Sequence, residues 1–324
     1  MTKDNIMLIQ ILLIIIGLVL LVKGADWLVS GASVLAKRYN ISDLAIGLTI
    51  VSFGTSAPEL VVSIFASLQN HQDIVFGNVI GSNIFNLFVI LGITGLIAPL
   101  VVQASTVRKE IPISFFATMV LYLFSNAFFL ANTPVLTRIE GFALLIMFSM
   151  FLFYVYKQLK TETTKPETAQ KKFSTFKIFG LVTLGLASLI IGGRSVVSNA
   201  VALATAMGMS EKIIGLTIVA AGTSLPELAT SVVAVLKKNS DIAVGNIIGS
   251  NIFNILFILA GSSIIRPISY DITFNTEIYL LAGGTIFIFI AMFTSQRKIL
   301  DRWESGILLI TYIAYMMYLI KKEI

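Results

Sequence analysis

The chain has 324 residues, of which 56% are hydrophobic and only 12% are charged, and its formal net charge is +6. Soluble domains average about 25% charged residues, so this composition excludes a mostly water-facing surface and indicates a polytopic membrane protein. The sequence has no cysteine and a single histidine, His71, which excludes disulfides, thiolate sites and imidazole clusters, so any metal must be held by oxygen.

Ten apolar segments long enough to span a bilayer follow one another along the chain. They cover residues 6–36, 43–68, 73–98, 110–131, 137–156, 175–206, 211–236, 241–265, 273–294 and 301–320. The first segment has no small-residue cleavage site, so we expect a spanning helix there and not a signal peptide. A polar linker, 157–174, separates the five helices of residues 1–156 from the five of residues 175–324.

The basic residues outside these segments are unequally distributed between the two sides of the membrane. The side that contains the linker carries fifteen lysines and arginines, and the side that contains both termini carries six. The positive-inside bias therefore predicts a cytoplasmic linker and extracytoplasmic termini. Most of these residues occur singly or in pairs between apolar segments, which is typical of topology signals and not of a nucleic-acid-binding surface.

The two halves contain a repeated sequence. Residues 47–86 and 215–254 align without a gap at a constant offset of 168, and 25 of the 40 positions are identical. Because each half has an odd number of predicted helices, the second copy should enter the membrane in the opposite orientation. Inverted repeats with a site at their interface are typical of alternating access, whereas a channel needs no such symmetry.

The first motif, GTSAPE at 54–59, is repeated as GTSLPE at 222–227. On a helix, Thr55, Ser56 and Glu59 would share one face. Pro58 has no N–H to donate, so we expect the carbonyls from Ser52 to Thr55 to lose helical partners. Carbonyl, hydroxyl and carboxylate oxygens suit Ca²⁺ or Na⁺. A charged residue at membrane depth costs about 2.5–3.5 kcal/mol or more, which favours a functional role for the repeated glutamate.

The second motif, GNVIGSNIFN at 77–86, places Ser82 and Asn86 on one helix face, and Ser250 and Asn254 repeat them. We expect Gly77 and Gly81 to allow close helix packing. Serine, threonine and asparagine often only bond neighbouring helices, so the hydroxyls and amides alone are not decisive. Two facing glutamates would carry charge −2, which one Ca²⁺ neutralises. An empty pair should resist closure, which favours exchange over leak.

Three predictions concern charged residues outside the motifs. Lys23 and Asp26 are three positions apart in the first span, and we expect them to pair with each other. Asp73 and Asp241 each precede a predicted helix, and we expect them to be N-caps.

The paired GTS-x-PE and GN-x-x-GSNI-x-N segments resemble the α-repeats of the cation/Ca²⁺ exchanger superfamily, in particular its prokaryotic Na⁺/Ca²⁺ exchanger-type members. The resemblance implies an all-α protein of the prokaryotic inner membrane, with ten transmembrane helices in two inverted five-helix repeats. It also implies that the first and sixth helices slide past a core of four, that Ca²⁺ and Na⁺ are transported, and that no cofactor or catalytic residue is needed.

The resemblance also implies site residues. Glu59 and Glu227 would bind Ca²⁺, and the other ligands of Na⁺ and Ca²⁺ would be Thr55, Ser56, Thr223, Ser224, Ser82 and Ser250, with backbone oxygens at Ser52 and Ala220. Asn86 and Asn254 complete the candidate set. Some relatives have aspartate at the position of Asn254, and an acidic residue there is linked to K⁺ in the K⁺-dependent branch, so asparagine argues against K⁺ co-transport.

We therefore expect a secondary antiporter that uses inward Na⁺ movement to expel Ca²⁺. A Ca²⁺/H⁺ antiporter on the same scaffold stays open. A cation channel or ion sensor is disfavoured because the chain has no filter-like sequence and no sizeable soluble domain, and an intramembrane hydrolase because it has no cysteine or mid-membrane histidine. The expected partners are the two ions and the lipid bilayer, with no nucleic acid and no obligate protein partner.

Overall fold

A computed structural model describes residues 3–39, 41–127, 133–161, 174–206, 220–294 and 298–323. This part of the chain is nearly all helical. The helices are α1 (Lys3–Tyr39), α2 (Asp43–Thr55), α3 (Ala57–Leu68), α4 (Gln72–Ile97), α5 (Ile111–Ser125), α6 (Arg138–Thr161), α7 (Thr175–Ala206), α8 (Ala220–Thr223), α9 (Leu225–Leu236), α10 (Ser240–Ile265), α11 (Asn275–Ala291) and α12 (Arg302–Glu323).

Each predicted span coincides with one helix or with two successive helices. Among the described residues, six helices are long and apolar enough to cross a bilayer, and the bent pair α2–α3 makes a seventh span. Two predicted spans are described only in part, because residues 128–132 and 207–219 lie outside the described ranges, as do 162–173 of the linker. The membrane-spanning, mostly helical architecture is therefore confirmed, and the count of ten stays a prediction.

The proline motif breaks its span. The axes of α2 and α3 are bent by 47°, and Ser56 stands between them with φ −82° and ψ 9°. Pro58 lies in the first turn of α3, where the missing N–H is not needed and the fixed φ favours a helix start. Ser224 and Pro226 repeat this arrangement between α8 and α9, with φ −89° and ψ 9° at Ser224.

Wide π-helical turns interrupt the helices next to the predicted site, a feature that the sequence analysis did not anticipate. In α4 the π-turn covers Phe85–Ile90, and in α10 it covers Asn254–Ile258. Another, Gly47–Val51, precedes Ser52 in α2. Single π-turns within α-helices occur frequently at functional sites. Here they adjoin the candidate asparagines of both copies.

In the described part of the chain, four two-residue strands join loops of the two halves. They are β1 (Leu100–Val101), β2 (Val135–Leu136), β3 (Ile268–Ser269) and β4 (Ile299–Leu300). β1 pairs antiparallel with β4, with Leu100 opposite Leu300, and β2 pairs antiparallel with β3, with Leu136 opposite Ile268. Each pair contains one strand from each half, so the halves are connected by two separate backbone bridges.

The helices that carry the second motif lie at the centre of the molecule. In their most apolar stretch, 78% of residues are buried in α4 and 94% in α10, against 17% in α1 and 28% in α7. α1 and α7 pack against each other through glycines, since a Cβ added at Gly24 would lie 2.9 Å from the carbonyl oxygen of Gly185. Small residues permit this backbone approach in membranes.

Close packing at the glycines of the second motif is observed in one copy. A Cβ added at Gly245 would lie 2.8 Å from the Leu44 carbonyl oxygen, and one added at Gly249 would lie 2.8 Å from the Ser52 hydroxyl, so α10 packs tightly on α2. In the other copy α2 corresponds to residues 211–223, and most of these, 211–219, lie outside the described ranges.

The predictions for the charged residues are wrong. Asp26 pairs with Lys237, which follows α9, at 2.7 Å and not with Lys23. The N-cap of α10 is Asn239, whose side chain accepts from the Ile242 N–H at 3.1 Å, and that of α4 is His71. Asp73 and Asp241 lie in the first turns of these helices, where a negative charge also interacts favourably with the helix dipole.

Candidate cation site

The two predicted glutamates lie in the first turns of α3 and α9 and are buried. The Ser224 hydroxyl donates to Oε1 of Glu59 at 3.0 Å, and the Ser56 hydroxyl donates to Oε1 of Glu227 at 2.8 Å. Ser82 also donates to Oε1 of Glu59, at 3.4 Å. Each carboxylate is therefore contacted by the serine of the opposite copy, which brings the two motifs together as predicted.

Several buried oxygens around the glutamates have no hydrogen-bond partner. They are Oε2 of Glu59 and of Glu227, and Oδ1 of Asn86 and of Asn254. A buried polar atom without a partner destabilises a protein by about 1–3 kcal/mol, more when it is charged. Because the four carboxylate and amide atoms are pure acceptors, a bound cation would satisfy them.

The composition of the site selects among cations. Among the described residues there is no group of three or more His, Asp or Glu side chains that could hold a metal ion. The site therefore offers two carboxylates and otherwise neutral amide and hydroxyl oxygens. Oxygen-only donor sets of low charge suit Ca²⁺ and Na⁺.

The two predicted threonines are engaged with asparagines. The Thr55 hydroxyl donates to Oδ1 of Asn246 at 3.0 Å, and the Thr223 hydroxyl donates to Oδ1 of Asn78 at 3.4 Å. Each hydroxyl keeps lone pairs for a cation, and the proton of Thr55 is shared between Asn246 and the Ser52 carbonyl, which lies at 3.4 Å.

The sequence analysis missed Asn78 and Asn246. Asn78 donates to the backbone carbonyl of Glu59 at 3.1 Å and to the Ser63 hydroxyl at 2.9 Å. Asn246 donates to the backbone carbonyl of Glu227 at 3.4 Å and to the Ser231 hydroxyl at 3.1 Å. The sequence does indicate them, because each of these asparagines lies four residues before the serine of the second motif and therefore on the same helix face.

The backbone oxygens of Ser52 and Ala220 were predicted as ligands, and the structure describes the surroundings of Ser52 more fully than those of Ala220. The Ser52 carbonyl accepts the Ser56 N–H at 3.0 Å and the Thr55 hydroxyl at 3.4 Å, so the expectation that it loses its helical partner is wrong. The Ser52 hydroxyl donates to the Leu48 carbonyl at 2.9 Å. Ala220 begins α8, and its side chain and the residues before it are outside the described part of the chain.

The contacts of the site occur in pairs that exchange the two copies. Ser56 with Glu227 corresponds to Ser224 with Glu59, and Thr55 with Asn246 corresponds to the equivalent threonine and asparagine, each at the offset of 168. Such reciprocal contacts require an approximate two-fold axis through the site. The sequence repeat is therefore also a structural repeat at the glutamates.

Comparisons with known proteins show which family this chain is similar to. The sequence pattern of the family described as "Sodium/calcium exchanger protein" matches residues 9–157 and 177–321. The putative antiporter CaxA of Alkalimonas amylolytica is 38% identical over 318 residues, 95% of this chain and 98% of that protein. The sodium/calcium exchanger MaX1 of Methanosarcina acetivorans is 30% identical over 350 residues, covering 96% of this chain and 98% of its own length.

Solved structures show the same overall fold. The sodium-calcium exchanger NCX_Mj soaked with 10 mM Na⁺ and zero Ca²⁺ superposes with a TM-score of 0.82 at 28% identity, over 96% of this chain and 99% of that one. The same exchanger soaked with 2.5 mM Na⁺ and 10 mM Sr²⁺ superposes equally well, with a TM-score of 0.82 at 29% identity, over 96% and 99% of the two chains.

Proposed function

The chain belongs to the sodium/calcium exchanger family, and on that basis we propose that it is a secondary antiporter that exchanges Na⁺ for Ca²⁺ by alternating access. The observation that carries this proposal is the pair of buried glutamates, Glu59 and Glu227. Each is bonded by the serine of the other copy and has a second oxygen without a partner. This is a family of transporters and not of catalytic enzymes.

The proposed site holds Ca²⁺ or Na⁺ entirely through oxygen. Ca²⁺ takes 6–8 oxygen ligands in flexible geometry, and Glu59, Glu227, Asn86 and Asn254 each contribute one buried oxygen without a partner. The hydroxyls and carbonyls nearby supply further positions. The full proposed set is Glu59, Glu227, Thr55, Ser56, Thr223, Ser224, Ser82, Asn86, Ser250, Asn254, Ser52 and Ala220.

The charge of the two glutamates couples ion binding to the conformational change of the protein. Two buried carboxylates repel each other, and closing the protein over an empty site would remove them further from water. One Ca²⁺ or two Na⁺ neutralise the charge of −2, and a further Na⁺ makes the site modestly positive. The loaded protein can then close and reorient, whereas the empty protein cannot, and the movement of Ca²⁺ is thereby coupled to the return of Na⁺.

We further propose ten transmembrane helices in two inverted repeats. The strand pairs support inversion, because β1 and β3 occupy equivalent positions, 168 residues apart, yet belong to different pairs. A two-fold axis in the membrane plane would place these pairs at opposite membrane surfaces. With the linker on the cytoplasmic side of a prokaryotic inner membrane, both termini would be extracytoplasmic.

The packing of the two long helices supports alternating access. α1 packs along α9, and Lys237 adds bonds from its Nζ to the Asp26 carbonyl at 2.8 Å and the Ser30 hydroxyl at 2.7 Å. In the described residues α7 has no comparable packing along α3, the equivalent helix. Among the described residues the molecule is therefore packed more closely along α9 than along α3. In the proposed topology α9 leads to the cytoplasm, so this packing covers the cytoplasmic side of the site, whose two glutamates are buried.

Transport assays in proteoliposomes test this proposal. Vesicles that contain the protein are loaded with Na⁺ and diluted into choline medium with ⁴⁵Ca²⁺, and we expect Ca²⁺ uptake that disappears when the internal cation is choline. An imposed pH gradient should not replace the Na⁺ gradient. Uptake driven by the proton gradient and indifferent to Na⁺ would favour a Ca²⁺/H⁺ antiporter instead.

A substitution tested in the same assay distinguishes loss of the cation site from loss of the folded protein. Glu227→Gln should abolish Na⁺-driven uptake while the protein still purifies as a folded species with a cooperative melt. Normal transport by this variant would remove the two-carboxylate site from the proposal.

A further inference from the structure

Two asparagines that are absent from the candidate ligand set join the second motifs of both copies. Asn83 and Asn251 are buried and directly follow Ser82 and Ser250 in sequence. Nδ2 of Asn83 donates to the backbone carbonyl of Asn251 at 3.1 Å, and Nδ2 of Asn251 donates to the backbone carbonyl of Asn83 at 3.3 Å. We name this reciprocal pair the asparagine clasp.

Each member of the clasp also binds a candidate ligand of the opposite copy. Oδ1 of Asn251 accepts Nδ2 of Asn86 at 3.0 Å, and Oδ1 of Asn83 accepts Nδ2 of Asn254 at 3.0 Å. All amide groups of the clasp thus have partners. In Asn86 and Asn254, only Oδ1 is left buried without one.

This network determines which end of each candidate amide faces the site. A backbone carbonyl can only accept, so the clasp atoms that face the carbonyls must be the nitrogens. Oδ1 of Asn251 is therefore directed at Asn86, and Oδ1 of Asn83 at Asn254. Asn86 and Asn254 must donate to these oxygens through their Nδ2 groups. Oδ1 of each is then the atom left free, and a free oxygen attracts a cation whereas an amide N–H₂ repels one.

We propose that Asn83 and Asn251 are positioning residues that hold the Oδ1 atoms of Asn254 and Asn86 toward the bound cation. The proposal rests on the cation site described above. In this proposal the amide of each candidate ligand is oriented by the opposite copy. Asn251 orients the side chain of Asn86, and Asn83 orients the side chain of Asn254. Partners that orient metal ligands in this way affect metal affinity by about 10–100-fold.

A carboxylate at the ligand position provides the test, because an aspartate presents an oxygen in either orientation. Asn251→Leu, which keeps the approximate volume, should weaken Ca²⁺ binding by about 10–100-fold. In an Asn86→Asp background the same substitution should cause no loss, because aspartate cannot be turned the wrong way. In an Asn254→Asp background the full loss should persist, because Asn83 still bonds the unchanged backbone carbonyl of residue 251.

The mirror substitution supplies the matched control. Asn83→Leu should weaken Ca²⁺ binding in the wild-type and Asn86→Asp backgrounds but not in the Asn254→Asp background. The affinities are measured by titration calorimetry on the purified full-length protein, with a thermal melt of each variant to confirm folding. If one of the two leucine variants fails to fold, the other tests the same proposal at the equivalent position of the other copy.

The outcomes distinguish positioning from general packing. The crossed pattern of losses and rescues supports the clasp as an orienting device. Equal losses in all backgrounds, or no loss in any, would overturn it. Glu59→Gln is included as a reference: if that variant binds Ca²⁺ normally, the cation site itself is wrong, whereas if it loses binding and the crossed pattern is absent, only the role of the clasp is wrong.

Discussion

Replacing Glu59 by glutamine should have opposite effects on the empty and the loaded protein. Glutamine has nearly the same shape, so its carbonyl oxygen can keep the bonds from Ser224 at 3.0 Å and Ser82 at 3.4 Å. Its amide nitrogen then replaces Oε2, the buried oxygen without a partner. The site loses one negative charge and gains an N–H₂ group directed at the cation.

The magnitude follows from the burial of the site. Removing one partner of a buried ionic contact costs about 3–5 kcal/mol, which corresponds to Ca²⁺ binding that is weaker by roughly 100- to 4,000-fold. In the ion-free protein the same change removes the repulsion between Glu59 and Glu227, both buried. The ion-free variant should therefore be more stable than the wild type, with a Tm higher by about 2 °C for each kcal/mol gained.

Thermal melts with and without Ca²⁺ measure both effects. The wild type should melt at higher temperature in millimolar Ca²⁺ than in chelator and choline, and Glu59→Gln should lose this difference. The control is Glu140→Gln, since Glu140 is equally buried and also has one oxygen without a partner, but lies outside the two motifs and accepts from the backbone N–H and the hydroxyl of Thr137, both at 2.8 Å. The control should lower Tm, through a loss of about 1–3 kcal/mol, and keep the Ca²⁺ response. A Ca²⁺ response that survives in Glu59→Gln would show that the Glu59 carboxylate does not contribute to Ca²⁺ binding.

Three further substitutions test other parts of the molecule. Gly185→Val should lower Tm and slow Na⁺-driven ⁴⁵Ca²⁺ uptake, because the added Cβ alone would lie 2.7 Å from the backbone nitrogen of Leu28. Overpacking of this kind costs about 1–3 kcal/mol. The control is Gly180→Val, which has open space at its Cβ and should change neither Tm nor uptake. Asn246→Leu should reduce Ca²⁺ affinity by about 10-fold or more in calorimetry, because it releases the backbone of Glu227; unchanged affinity would contradict its supporting role. Lys237→Gln should shift Tm by only about 2 °C or less, because a half-exposed ion pair contributes up to about 1 kcal/mol.

The fold was predictable where it depends on local sequence and repetition. The repeated GTS-x-PE motif predicts a local disturbance of the helix upstream of each proline, and the helices are indeed interrupted at Ser56 and Ser224, because proline restricts the backbone in the same way in any surroundings. The strand pairs were not predictable, because two residues near position 100 meet two near position 300 only after the helices pack. The cap of α10 was misassigned for a similar reason, since Asn239 and Asp241 are both suitable caps and tertiary contacts decide between them.

The site was predictable in composition and not in connectivity. A continuous helix would place Ser56 beside Glu59, but the bend of 47° lies between them, and the Ser56 hydroxyl reaches Glu227 instead. Spacing rules for a helix face assume an unbroken helix, and the proline that signals the site removes that condition. Asn83 was overlooked because it lies one position beyond Ser82 and so projects away from the predicted ligand face.

The symmetry of the site and the asymmetry around it have separate consequences. The paired contacts at the centre differ by 0.4 Å or less, for example 2.8 and 3.0 Å for the serines on the glutamates. At the ends of the helices the two copies diverge, because the positions equivalent to Asp26 and Lys237 hold Arg194 and Gln69, which cannot form the same ion pair. A two-fold site favours neither side of the membrane. Any preference for one orientation must therefore come from such peripheral differences, and substitutions there should change the direction of access without changing which cations bind.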